Sequence, residues 1–108
     1  MADLQENYRV LVVERYEDVM DSLTRTLERD GYVVTGTLSD AIALDLVRSS
    51  SFHAVVIGDG VSHSDRRHLV AQIQSQQPST LAIAGHGPES VLIQLRQAFK
   101  EKASSEAT

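Results

Sequence analysis

Short, unbroken apolar runs alternate along this chain with longer stretches in which apolar residues return every third or fourth position. Val10, Leu11, Val12 and Val13 form the first run, within Arg9 to Val13, and β-branched residues on successive positions suit a strand covered on both faces. From Glu17 to Arg29 the pattern turns helical: Val19, Leu23 and Leu27 recur with Met20 beside them. Glu17 and Asp18 fall in the first turn, where the helix dipole favours acids, and Gly31 suits the stop. Tyr32 to Thr37 reads as a second strand. Ser39 caps a helix running to about Arg48, with Ile42, Ala43, Leu46 and Val47 predicted inward and Leu44 widening the stripe. Ala54 to Ile57 is a third strand, again apolar throughout. After the break Gly58-Asp59-Gly60, Ser64 or Asp65 is predicted to cap a third helix carrying Leu69, Val70 and Ile73. Pro78 follows it, and Thr80 to Ala84 reads as a fourth strand. Gly87 precedes Pro88, which suits a first helical position, and the last helix carries Val91, Leu92, Leu95 and Phe99.

Strand and helix thus alternate four times. With strands this apolar, the pattern predicts an α/β fold with a short, about four-stranded parallel sheet and helices on both faces. In such sheets ligands bind beyond the C-terminal ends of the strands. That directs attention to Glu14 and Arg15, Thr37 and Leu38, Gly58 to Ser64, and Ala84 to Gly87. The polar or small segments 1–7 and 103–108 lack periodicity and are expected to be flexible tails on a single domain at 8–102.

Composition narrows the function classes. A chain of 108 residues can bury a real core, and 42% hydrophobic with 23% charged residues is ordinary for a globular domain. There is no cysteine, so disulfides and thiolate metal sites are excluded. The start has no basic stretch followed by an apolar one, and no apolar run approaches the roughly 20 residues that span a bilayer. A cytoplasmic domain without membrane contact is the expectation. The net charge of −5 works against nucleic acid binding, which relies on basic surface to displace counterions.

Val10 to Arg15 and Phe52 to Gly60 resemble the first and third strands of bacterial response-regulator receiver domains, and the spacing between them matches. The resemblance implies a flavodoxin-like, CheY-like three-layer sandwich with a pocket for phosphoryl transfer to an aspartate. In the family two acids after the first strand hold Mg²⁺; here those positions fall on Glu14 and Arg15. The family's phosphorylated aspartate falls on Gly58, which has no side chain. The last strand and helix align with the family's fourth or with its fifth repeat, where Pro88 and Glu89 resemble a Pro-Glu pair opening the final helix. Either alignment puts Ala84 at a position where the family has a hydroxyl or a lysine. Phosphoryl transfer needs a carboxylate nucleophile, oxygen ligands for Mg²⁺ and a donor for the transferring charge. Glu14, Arg15, Gly58, Asp59 and Ala84 therefore read as a degenerate phosphorylation pocket on a truncated receiver.

Other readings compete with this one. Asp59 lies one residue beyond the expected acceptor, and a backbone shift at Gly58 and Gly60 could bring it into the pocket; a turn aspartate between glycines is the plainer reading. Glu14, Asp59, His63 and His86 share a sheet edge and could gather around Zn²⁺, although no close-spaced ligand pair supports a metal. His53 reads as a residue leading into the third strand, and His68 as solvent-facing. Gly85-His86-Gly87 has the wrong glycine spacing for a nucleotide loop. Ser49 to Ser51 lack a triad arrangement.

The sequence therefore predicts a non-catalytic pseudo-receiver without cofactor, a signalling or scaffold module that acts by phosphorylation-independent protein–protein interaction. The missing strand and helix would leave an exposed sheet edge, so a homodimer or another protein of a signalling pathway is the expected partner, through the fourth strand and final helix. The alternatives are a working receiver phosphorylated at Asp59, and a small metal- or nucleotide-binding domain on the same kind of sheet.

Overall fold

Hydrogen bonding joins the apolar runs into one parallel sheet. The computed structural model describes residues 8–107, with side chains as far as Lys102. The strands are β1 (Arg9–Val13), β2 (Val33–Thr37), β3 (Ala54–Ile57) and β4 (Leu81–Ala84), in the order β2-β1-β3-β4. Between and after them run α1 (Glu17–Arg29), α2 (Asp40–Ser49), α3 (His63–Gln76) and α4 (Pro88–Ala107). The register pairs Val13 with Thr37 on one side and with Ile57 on the other, and Ile57 with Ala84. All four strands therefore end on one rim, where β1 and β3 form the switch point of the winding.

Alternation along each strand builds two cores, one per face. Val10, Val12, Ala54, Val56 and Ile83 pack beneath α1 and α4 with Leu23, Leu27, Leu95 and Phe99. Leu11, Val13, Val55 and Ile57 pack beneath α2 and α3 with Ala43, Val47, Leu69 and Ile73. The central strands β1 and β3 are sealed on both faces, which is why they read as continuous apolar runs. The fold is the expected α/β sandwich.

Placement resolves the alignment of the last repeat. β4 bonds directly to β3, the fourth place in the order 2-1-3-4-5 of the CheY-like sheet. α4 lies on the face of α1 rather than with α2 and α3. A right-handed crossover from β4 to a further strand would put its helix on the α3 face; α4 leads to no further strand among the described residues and packs on the opposite face. Asp30, which ends α1, ties the two helices together by accepting from Arg96 Nε at 3.0 Å and from Arg96 Nη2.

Several local expectations change. The cap of α3 is Ser62, whose Oγ accepts from Asp65 N at 3.2 Å; Ser64 and Asp65 lie inside the helix. Ile42 is 52% exposed. It lies about 100° round the helix from Ala43, and Ala43 and Val47 are the α2 residues buried against the sheet. Val19 is also partly exposed, at the rim end of α1. β2 starts at Val33 and β4 at Leu81, while Thr80 is buried and donates to Phe52 O at 2.8 Å. Of the two expected tails, 1–7 and Thr108 lie outside the described residues, and α4 continues through 103–107 with no backbone break at Lys102.

Candidate functional site

The rim at the switch point is built from the residues that leave β1 and β3. Glu14 follows β1 directly, and its backbone N–H still donates to Thr37 O at 3.2 Å, which holds it in line with the strand. Its side chain is completely buried. Oε1 accepts from Arg15 N at 2.7 Å, whereas Oε2 has no hydrogen-bond partner among the described residues. The carboxylate lies against the backbone of the β3 exit. A Cβ built on Gly58 would run into Oε2 and stand 2.7 Å from Cδ of Glu14. One built on Gly60 would meet Oε1 and stand 2.9 Å from Cδ2 of Tyr16. Normal carbon contacts are about 3.5–4.0 Å, so both glycines are there for close approach. Glu14 fills the space that a side chain at position 58 would occupy.

Arg15 points away from this carboxylate. Its Nη1 donates to Asp40 Oδ1 at 2.8 Å and its Nη2 to Asp40 Oδ2 at 2.9 Å, a two-pronged pair, and Nη2 reaches Asp65 Oδ2 at 3.3 Å. Asp40 and Asp65 stand in the first turns of α2 and α3, where the helix dipoles favour an acid. The hydrogen bond to Asp40 is the main cause that raises the Arg15 pKa, against a smaller lowering by burial. The cation thus pins two helix starts to the end of β1.

Asp59 is half exposed and turns outward, with Oδ1 at 2.8 Å from Nδ1 of the exposed His86. Ala84, at the end of β4, is exposed. The four residues considered as rival metal ligands are not brought together: Asp59 and His86 meet, Glu14 is buried, and His63 opens α3. Among the described residues no group of three or more His, Cys, Asp or Glu is placed to hold a metal ion. His53 is more than a residue leading into β3: its Nδ1 accepts the Arg9 N–H at 3.0 Å while its own N–H donates to Arg9 O at 2.9 Å. His68 is exposed, as expected.

Between α1 and α4 this rim opens into a cleft of about 430 Å³. Val19, Leu23, Pro88 and Val91 supply its apolar walls, and Glu14 and Gly58 belong to its lining. Gly85 and Gly87 line it as well, and Gly87 adopts φ of 103°, a turn that glycine allows at little cost before α4. Sequence reasoning missed this cleft and the Asp40–Arg15–Asp65 clamp. The signal for the clamp was present, since both acids open helices that start at the rim where Arg15 stands.

The fold is that of CheY-like receiver domains. A receiver domain protein of Methanospirillum hungatei JF-1 is similar with a TM-score of 0.77 and 15% identity, over 91% of this chain and 98% of that one. The HemR receiver domain of Leptospira biflexa is similar with a TM-score of 0.60 and 25% identity, over 73% of this chain and 65% of that one. A Burkholderia pseudomallei protein described as pilus assembly-related follows, with a TM-score of 0.65 and 14% identity over 89% of this chain and 76% of that one. No family model matches the chain, and no curated protein does. Among the described residues no helix is long and apolar enough to cross a membrane.

Proposed function

We propose that this chain is a cytoplasmic signalling module, a pseudo-receiver that works without phosphorylation and without catalysis, through protein–protein contact. The observation that carries this reading is the packing of Glu14 against Gly58. A phosphoacceptor needs a carboxylate at the end of the third strand with room for a phosphoryl group before it. Here the strand ends in a glycine, and the buried Glu14 carboxylate takes the room beside it. Arg15, which would have to yield its place to a metal ligand, is committed to Asp40 and Asp65. Asp59, which follows the acceptor position in the chain, faces outward to His86.

The contact surface we favour is the outer edge of β4 with the adjoining flank of α4. Among the described residues β4 pairs with β3 alone, in a place that an interior strand holds in a five-stranded sheet. Its edge carries unpaired backbone groups, a template for another chain. The first partner expected is a second copy, and otherwise a protein of the same pathway.

The test has two arms. The chain is treated with acetyl phosphate or beryllofluoride and Mg²⁺ and followed by intact mass and amide spectra. No adduct is expected, and an acid-labile phosphorylated form abolished by Asp59→Ala would overturn the reading. In the second arm, sedimentation at about tens of micromolar should show a dimer. A monomer with unchanged amide signals along β4 in the presence of candidate pathway proteins would remove the contact surface.

A further inference from the structure

The cleft between α1 and α4 has a composition that the interaction reading does not use. Its volume of about 430 Å³ lies within the range of small-molecule sites. The walls are apolar, and among the described residues the charged ones of the lining are Glu14, Asp18 and Asp59, with no cation beside them. Glu14 is fully buried, and its Oε2 lacks a donor among the described residues. A buried carboxylate oxygen without a donor is unfavourable, and a positive group brought to it would gain from the low dielectric around it. Arg15 does not serve that oxygen, because its guanidinium is held by Asp40 and Asp65.

From this we infer that the cleft binds a small amphipathic organic cation, its ammonium group neutralised by Glu14 and its apolar body lying against Val19, Leu23 and Val91. Two rival occupants fit less well. A bare divalent ion would want several oxygen ligands in one shell, and no three acidic or imidazole groups converge among the described residues. A nucleotide or other phosphate would face three carboxylates and no compensating charge. An organic ammonium satisfies both the charge and the apolar walls. The inference shares Glu14 with the functional reading but stands apart from it, since a chain that binds no partner at β4 could still fill this cleft.

The experiment is an amide chemical-shift titration of the whole chain with ethylammonium, benzylammonium and phenethylammonium. The corresponding neutral alcohols and MgCl₂ alone are run beside them, to about 20 mM, above the millimolar Kd expected of ligands this small. Saturable shifts are expected at Val19, Gly58, Gly85 and Val91 for an arylalkylammonium, with the neutral alcohol at least about tenfold weaker. Glu14→Gln, which keeps the shape and the acceptor for Arg15 N, should weaken the ammonium by a similar factor. Should that variant fail to fold, the comparison of ammonium with alcohol on the unaltered chain still decides. Equal binding of alcohol and ammonium, no saturable shift with any of the three cations, or Mg²⁺ moving the same amides at lower concentration would each overturn the inference.

Discussion

The carboxylate of Glu14 and the bare Cα of Gly58 are fitted to each other: neither could keep its present place if the second residue carried a Cβ. This makes the two positions interdependent in a way that can be measured. Gly58 does not have positive φ, so a side chain there meets steric resistance and not backbone strain.

Gly58→Ala is therefore expected to destabilise the fold by about 1–3 kcal/mol, the usual cost of overpacking a filled interior. In a Glu14→Ala background the same change should cost little, because the oxygen it would strike is gone. Urea denaturation of the two single variants and the double variant closes the cycle, with an expected coupling of about 1–2 kcal/mol. Additive effects would mean that Glu14 turns aside without resistance. The cycle also bears on function, since Gly58→Asp alone should not create a phosphoacceptor while Glu14 stays buried beside it.

Arg15 offers a second quantitative handle. Its paired bonds to Asp40 join the end of β1 to the start of α2, and the longer bond to Asp65 adds the start of α3. The groups are only partly shielded, with 25% exposure for the arginine side chain and 35% for Asp40, so the contribution is that of a well-aligned but solvent-screened pair. Arg15→Ala should lower stability by about 1 kcal/mol and Asp65→Asn by a few tenths. Arg15→Lys should recover only part, because an ammonium cannot reproduce the forked geometry. The effect of Arg15→Ala should shrink as salt is raised. A salt-independent loss would assign the role of Arg15 to the packing of its stem instead.

How much of this was legible in the sequence differs by level. The strands were readable because Val10–Val13 of β1 and the whole of β3 are buried and so form unbroken apolar runs. The rim was readable as a set of positions, since a parallel sheet brings all strand ends together. What the side chains do there was not. Arg15 was read as part of a degenerate pocket, and the distances show it committed to two helix starts. Ser64 or Asp65 was the expected cap, but the helix begins at His63, so Ser62 holds the capping position. Glu14 was marked as a surviving acid, yet its burial beneath Gly58 and Gly60 depends on two loop conformations that no periodicity reports. The cleft was invisible for a similar reason, because it depends on α4 lying beside α1, a choice of face made after the last strand.

His53 supplies a pH dependence whose direction can be worked out from its contacts. Its Nδ1 accepts the Arg9 N–H, which requires an unprotonated Nδ1, and the ring packs edge-on against Tyr8 at 5.0 Å between centroids. Burial is the main cause that lowers its pKa from 6.5, with the charges of Lys102 and Arg9 adding to it. A lowered pKa means that the unfolded chain binds the proton more readily than the folded one, so this contribution to stability rises with pH. It is fully present above about 6.5 and is lost as pH falls from there through the lower pKa of the folded state. Because the ring is only half-buried, the loss should stay below about 1 kcal/mol. Urea denaturation across this range should show the slope, and His53→Gln should flatten it while itself costing about 1 kcal/mol for the altered bond to Arg9 N. A ring-proton titration with a midpoint at or above 6.5 would reverse the sign and remove the argument.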